Sequence, residues 1–522
     1  MSEIAQLHKL ALKALNHQQY NQAQQVLIQI LRADKNHYDS YFLLGVIEAE
    51  LGQFTKAVNL IEKALSIKTS AEYYAHLAKC YAMLGDTVKT HNAVSKAEEF
   101  TIKAALTLDT IGVALSRLGE HKLAINYFER AITKKQSAAF HYNLGTSQTF
   151  SGLFDKARHS LEQAIKIEPY FYQAHSSLSH LGGITRDFNH IERLKQVFEQ
   201  VTHPDGKLHI SHALARELEA VEEYSEAFKY LYRAKAEKQK VIKYDFNRDQ
   251  GLFNEIQKLF SDSLFSNKMS GNDSAQAIFV TGMPRSGTTL VERVLTNAKK
   301  VKSVGELQDF GLSLKRLANT PSRFILDNET IQASTNIDYS TLGQNYLNCV
   351  KPLINEGQRF VDKMPLNVLY AGHIIKALPS AKVLCVIRNP MDTIWGNYKQ
   401  MFSLNDPYYQ YAFDQSDIAK YYVEFVKLAQ FWQSLYPNNF KIVSYDSFVT
   451  SPLECGKDVV EFCNIAWSDS LLDITKNDSA VATASSVQVR SGINTKSLGQ
   501  WKRFENELKP ALKVIQAAGV MV

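Results

Sequence analysis

Proline is scarce in this chain. It occurs 12 times in 522 residues, first at Pro169, and ten of the twelve lie from Pro284 onward. Because proline breaks helix interiors, a long proline-free opening fits a helical array, followed by a domain with ordinary turn chemistry. Cysteine is scarce too. Cys80, Cys349, Cys385, Cys455 and Cys463 make an odd count with no C-x-x-C, so neither a disulfide framework nor a zinc site is indicated. No stretch approaches the roughly 18 uncharged apolar residues of a membrane-spanning helix. The opening Met-Ser-Glu-Ile-Ala lacks the basic-then-apolar layout of a secretion signal. The expectation is a reduced, cytoplasmic protein without a transmembrane segment. Charge of one sign is also thin: 59 Lys+Arg against 53 Asp+Glu leaves 59 − 53 = +6, too dilute to argue for nucleic acid. At 45% hydrophobic the chain is too apolar to be disordered. Its length exceeds the roughly 100–200 residues of one ordinary domain.

The first half repeats itself. Gly52, Gly85, Gly119 and Gly152 follow one another at steps of 33, 34 and 33 residues. Five positions after each comes Ala57, Thr90, Ala124 or Ala157, and seven further on Ala64, Ala97, Ala131 or Ala164. Seven before each stands Gly45, Ala78, Gly112 or Gly145. Small residues are needed where two antiparallel helices approach closely, and the glycine falls in the turn between them. The pattern resembles the tetratricopeptide repeat (TPR), with about seven units over residues 2–236, the last two degenerate, and a terminal Pro169 in the fifth. The resemblance implies a groove that holds a protein or peptide partner rather than a catalytic surface.

The second half opens differently. Ala277-Ile278-Phe279-Val280 suits a strand buried on both faces. Thr281-Gly282-Met283-Pro284-Arg285-Ser286-Gly287-Thr288-Thr289 follows, and then a helical pattern from Leu290. Strand, glycine-bounded loop and helix together make a phosphate loop, its backbone N–H groups converging on an anion. A nucleotide-triphosphatase loop carries Lys where this one has Thr288, and uses a hydroxyl to hold magnesium. Here the cation is Arg285, inside the loop, which suits an anion held by arginine and hydroxyls without metal.

At Pro284-Arg285-Ser286-Gly287-Thr288-Thr289-Leu290 the sequence resembles sulfotransferases that use 3′-phosphoadenosine-5′-phosphosulfate (PAPS). It is most similar to the bacterial TPR-linked branch related to protein-tyrosine sulfotransferases. The resemblance covers residues 277–510. It implies that Arg285, Ser286, Gly287, Thr288 and Thr289 hold the 5′-phosphosulfate. Lys363, in Val361-Asp362-Lys363-Met364-Pro365, takes the role of the lysine beside the leaving oxygen. Arg388, after the strand Val383–Ile387, matches the arginine on the 3′-phosphate. That arginine's usual serine companion, eight residues on, is here Gly396, with Asn397 adjacent as a partial substitute. Arg490, Lys496 and Ser497, in a polar basic segment ahead of Trp501, match a loop over the nucleotide.

An acceptor hydroxyl must lose a proton as it attacks sulfur, so a base is required. Val304-Gly305-Glu306-Leu307 resembles the family's G-E motif, which makes Glu306 the candidate base, with Asp309 and His373 in reserve. Leu307 stands where related tyrosine-sulfating enzymes have a second glutamate. Met401, Phe402, Tyr408, Tyr409 and Tyr411 are candidates for an acceptor wall or for packing. The expected architecture is an all-α TPR solenoid over 1–236, a helical linker over 237–274 and an α/β domain over 275–522. In that last domain helices cover both faces of a parallel sheet. A protein tyrosine, a glycan and a small-molecule hydroxyl all stay open as acceptor. An ATP- or GTP-dependent phosphotransferase, or a TPR scaffold with an inactive nucleotide domain, are the alternatives.

Overall fold

The computed structural model describes residues 3–266, 271–404, 407–476 and 492–522. The chain divides into two compact units, Met1–Glu222 and Glu223–Val522.

The first unit is a stack of antiparallel helix pairs. They begin with Glu3–Asn16 and Tyr20–Ala33, continue with Tyr38–Glu50 and Phe54–Ile67, and run to Tyr172–His180 and Ile191–Gln200; Pro204–Ala220 follows. The repeating glycines play the two parts expected of them. Gly52, Gly85, Gly119 and Gly152 turn between paired helices with φ of 75–81° and open space around them, so backbone conformation selects them. Gly45, Gly112 and Gly145 lie inside helices, where a Cβ would come within 2.6 Å of Ile61, 2.6 Å of Phe128 and 2.9 Å of Leu161. The alanines at 57, 64, 124, 131, 157 and 164 are fully buried between the pairs. The sixth pair is worn for a local reason: its first helix stops after nine residues, before Gly182 and Gly183, both in the left-handed region.

The helix Tyr224–Ile242, expected to close the array, belongs to the second unit. Its aromatic face accounts for this. Phe228 packs on Trp395 and Tyr398, and buried Lys235 donates to the Ala412 carbonyl at 2.9 Å. The compact units therefore part at 222/223, with the segment 237–274, expected as a helical linker, inside the second unit.

The second unit carries a five-stranded, all-parallel sheet in the order β2-β3-β1-β4-β5. The strands are β1 (Ala277–Gly282), β2 (Val301–Gly305), β3 (Arg359–Asp362), β4 (Lys382–Ile387) and β5 (Phe440–Ser444). Side-chain alternation gives β1 two different faces. Ile278 and Val280 join an aliphatic cluster with Val291, Val294, Leu384 and Val443. Phe279 faces the other way, toward Phe310 and Tyr346, with ring centroids 6.4 and 5.6 Å away. Helix Thr288–Thr296 lies on the first face, and Asp309–Ala318 and Tyr339–Val350 on the second. Tetratricopeptide helices followed by a parallel sheet covered on both faces is the architecture expected from the sequence. Among the described residues, no helix is long and apolar enough to cross a membrane.

Candidate functional site

All five strands point the same way, so the segments leaving their carboxyl ends gather at one edge of the sheet. Open parallel sheets place their sites there, where neighbouring strands send the chain in opposite directions. Here β1 sits between β3 and β4, although β2 follows it in sequence.

The loop leaving β1 is constrained at both of its glycines and at Arg285. Gly287 has φ of 101°, and a Cβ there would lie 2.1 Å from the Tyr445 ring. At Gly282 a Cβ would meet the Val386 carbonyl at 2.6 Å. Arg285 itself adopts φ of 66°, a left-handed conformation that costs a non-glycine residue roughly 1 kcal/mol. Strain of this kind persists where surrounding structure fixes it for use. Ser286 is buried, its Oγ without a hydrogen-bond partner, and the buried Thr288 and Thr289 open the following helix. Burial, and then the Arg388 guanidinium, lower the pKa of Arg285. A cation, an unsatisfied hydroxyl and a helix N-terminus on one glycine-bounded loop, with the Arg388 guanidinium beside it, suit a multiply charged anion.

Arg388 follows β4 and is held from several sides. It donates to the Arg285 carbonyl at 3.3 Å and to the Ser497 carbonyl, pairs with Asp392 at 3.5 Å, and lies 4.9 Å from the Tyr445 ring centroid. Its Nε has no hydrogen-bond partner. Ser497 joins the group through its Oγ, 2.7 Å from Tyr445 Oη, whereas Lys496 is exposed. Arg490 lies outside the described residues. Asn397 is fully buried and spends its amide on the Pro284 and Thr393 carbonyls at 2.7 and 2.9 Å. It braces the phosphate loop from behind. Gly396 has a steric reason: a Cβ there would lie 3.0 Å from Arg285 Cβ.

On the opposite side, Lys363 leaves β3 and Glu306 leaves β2, and the two form an ion pair. The Lys363 side chain is 3% exposed and that of Glu306 43%. The pair therefore has a buried cationic end and an end open to solvent. Next to it is a small cleft, lined by Leu307, Gln308, Gly311, Ile325, Met364, Leu366, Asn367, Leu369, Tyr370 and Tyr408. Leu307 and Met364 are the chain neighbours of Glu306 and Lys363, and no charged side chain lines the cleft.

The other expected residues divide. Tyr408 reaches the cleft wall, its Oη accepting from the Ile325 and Leu326 amides at 2.7 and 3.1 Å. Tyr411 is instead core, stacked on Tyr421, and Phe402 stacks on Tyr409. His373 is buried against Phe260 with Nδ1 bonded to Tyr339 Oη, and burial pushes its pKa down to about 3. Asp309 begins the helix beyond Glu306. Sequence reasoning passed over Asp392, which pairs with Arg388 and accepts from the Gly499 and Trp501 amides at 2.7 and 3.1 Å. It also passed over Tyr445. The only signal for Asp392 was its place four residues beyond Arg388, in the first turn of the helix Pro390–Tyr398. Asp446, just beyond β5, accepts from the Asn389 amide at 2.7 Å.

Known proteins bear on both units. Residues 277–469 match the sulfotransferase family, and residues 8–75, 106–133 and 138–171 match tetratricopeptide repeats. An uncharacterized protein of Aquifex aeolicus is 32% identical over 309 residues, 58% of this chain and 40% of that protein. The protein-tyrosine sulfotransferase of Drosophila melanogaster is 21% identical over 252 residues, 44% of this chain and 48% of that protein. This chain thus spans under half the length of either relative. Among solved structures, a thermophilic TPR protein of Thermus thermophilus aligns with a TM-score of 0.32 at 15% identity, over 34% of this chain and 98% of that one. The chain carries a sulfotransferase-family domain together with tetratricopeptide repeats.

Proposed function

We propose that this domain transfers a sulfuryl group from PAPS to an acceptor hydroxyl, and that the acceptor is an aryl hydroxyl such as a tyrosine side chain. The observation that carries the reading is the gathering of three elements at one sheet edge: the arginine-bearing anion loop, the Arg388 cluster and the Lys363–Glu306 pair. The loop fits a phosphosulfate because its cation lies within it, and Ser286 Oγ and Arg388 Nε are left to bond. PAPS supplies an activated sulfuryl group whose leaving oxygen belongs to a phosphate.

Each residue then has a chemical task. The loop amides, Arg285, Ser286, Thr288 and Thr289 hold and orient the phosphosulfate, and Arg388 with Ser497 takes the 3′-phosphate. Lys363 stabilises the charge that develops on the leaving oxygen. Glu306 accepts the acceptor's proton as the new oxygen–sulfur bond forms and the bond from sulfur to the 5′-phosphate oxygen breaks. The bonding pair leaves with the phosphate. The products are a sulfate ester and adenosine 3′,5′-bisphosphate.

Two features support an aryl acceptor. The cleft beside Glu306 is lined mainly by aliphatic and tyrosine side chains, with the amides of Gln308 and Asn367 and no charged group, a lining that suits an aromatic ring bearing a hydroxyl. The Drosophila relative bears the name of a tyrosine-sulfating enzyme. The repeat array, on this reading, recruits the protein that carries the tyrosine. The test is incubation with sulfur-labelled PAPS and matched acceptors: a tyrosine peptide, its phenylalanine counterpart and an oligosaccharide. Label in the tyrosine peptide alone supports the reading. Label only in the oligosaccharide overturns the acceptor, and label in none of them, with no donor binding, overturns the reaction.

A further inference from the structure

Two acidic groups beneath the candidate base have no task in that scheme. Glu292, on the helix after the phosphate loop, is 8% exposed, and Asp362, the last residue of β3, is fully buried. Burying carboxylates is unfavourable unless their bonds are satisfied. Burial raises the pKa of both, to about 7 for Asp362. Charged neighbours of Glu292 are Lys363, Glu306 and Arg293; Asp362 faces Asp309. An apolar side chain in either place would suit the surrounding core better, so their bonding partners are informative.

Those partners lie on the two sides of Glu306. The Ser303 hydroxyl donates to Glu292 at 2.5 Å and accepts from the Gly305 amide at 3.1 Å. The Gly305 carbonyl accepts from the Lys363 amide at 2.8 Å. On the far side the Leu307 amide donates to Asp362 Oδ1 at 3.4 Å, while Tyr346 Oη donates to Oδ2 at 2.6 Å. Between these ties β2 breaks register against β3 at Ser303–Gly305, and Gly305 takes φ of 80°. A bulge of this kind re-aims a side chain. The side chain it re-aims is Glu306, which without restraint would wander on an exposed turn.

We infer that Glu292, through Ser303, and Asp362, braced by Tyr346, are positioning residues that clamp Gly305 and Leu307 and so hold Glu306 beside Lys363 for proton removal. This rests on the proposed role of Glu306. A misplacement of about 1 Å can cost about a hundredfold in rate, so the clamp acts on turnover and leaves donor binding alone.

The test uses the full chain and two independent readouts. Hydrogen exchange over residues 301–308 reads the clamp without needing activity. Glu292→Met and Ser303→Ala should speed exchange at Gly305, and Glu292→Gln, which keeps an acceptor oxygen, should restore protection. In the transfer assay Glu292→Met and Ser303→Ala should lower kcat about 10- to 100-fold. Adenosine 3′,5′-bisphosphate should bind within about twofold of wild type, because the clamp does not touch the donor loop. In a Glu306→Gln background the same changes should cost nothing further, since they act through Glu306. Unaltered exchange, or a loss that multiplies with Glu306→Gln, would overturn the clamp. Should Glu292→Met fail to fold, Ser303→Ala carries the test alone. A wild-type chain that transfers no sulfuryl group would sink the proposed reaction instead, while the exchange readout would still decide the clamp.

Discussion

Replacing Glu306 and Lys363 one at a time should unbalance the site unequally. The Lys363 side chain is 3% exposed, whereas that of Glu306 is 43% exposed. Glu306→Gln strands a buried ammonium group. Breaking a fully buried pair costs about 3–5 kcal/mol. Here water screens the carboxylate end, and Glu292 remains within electrostatic reach of Lys363. The cost is reduced to about 1–2 kcal/mol. Lys363→Met removes the buried charge, keeps an apolar stem and leaves Glu306 to water, so it should cost less than about 1 kcal/mol. Urea unfolding at neutral pH, with transition slopes unchanged, reads this difference. Both variants should lose transfer by about 10²–10⁴-fold, so activity does not follow stability. Lys363→Met proving as destabilising as Glu306→Gln would refute the one-sided ion pair. Turnover near wild type in either variant would refute its part in the reaction.

Further expectations concern separate places in the fold. Gly287→Ala combines a positive φ with a Cβ 2.1 Å from Tyr445. It should displace that ring from Arg388 and weaken adenosine 3′,5′-bisphosphate at least about tenfold by calorimetry; unchanged affinity would count against the loop as the donor site. Burial pushes Asp362 up to about 7 from 3.8. Between about pH 4 and 7 the folded chain therefore holds a proton that the unfolded chain releases. The stability contributed falls as pH rises through that window, by up to about 1.4 kcal/mol per unit. Asp362→Asn should flatten the profile relative to wild type, and parallel profiles would contradict the assignment. Gly112→Ala places a Cβ 2.6 Å from Phe128. It should destabilise the repeat unit by about 1–3 kcal/mol in thermal or urea unfolding, and a neutral effect would show that the helices part without penalty.

What was legible in the sequence was whatever a short segment carries by itself. The turn glycines from Gly52 to Gly152 repeat because each closes the same local turn, so their spacing alone gave the array. The loop from Gly282 to Thr289 is likewise contiguous, and Lys363 and Arg388 each follow a recognisable strand. The unread part depends on pairings between distant segments. Asp392 meets Gly499 across 107 residues, and Leu307 meets Asp362 across 55, relations that no local pattern encodes. Gly396 looked like a missing ligand until its closeness to Arg285 gave it a steric role. Helix Tyr224–Ile242 kept a repeat-like sequence although its aromatic face packs on Trp395 and Tyr398. Periodicity shows that a helix has an apolar face but not which neighbour covers it.

The central claim is that the edge bearing Arg285 and Arg388 is built for a 3′-phosphorylated adenosine nucleotide. Calorimetric titration of adenosine 3′,5′-bisphosphate tests it most directly, against wild type and against Arg285→Ala and Arg388→Ala, with ATP–Mg²⁺ as competitor. The account predicts saturable binding to wild type, loss of at least about tenfold in each variant, and no displacement by ATP–Mg²⁺. Tight ATP–Mg²⁺ binding with none of the bisphosphate would contradict it.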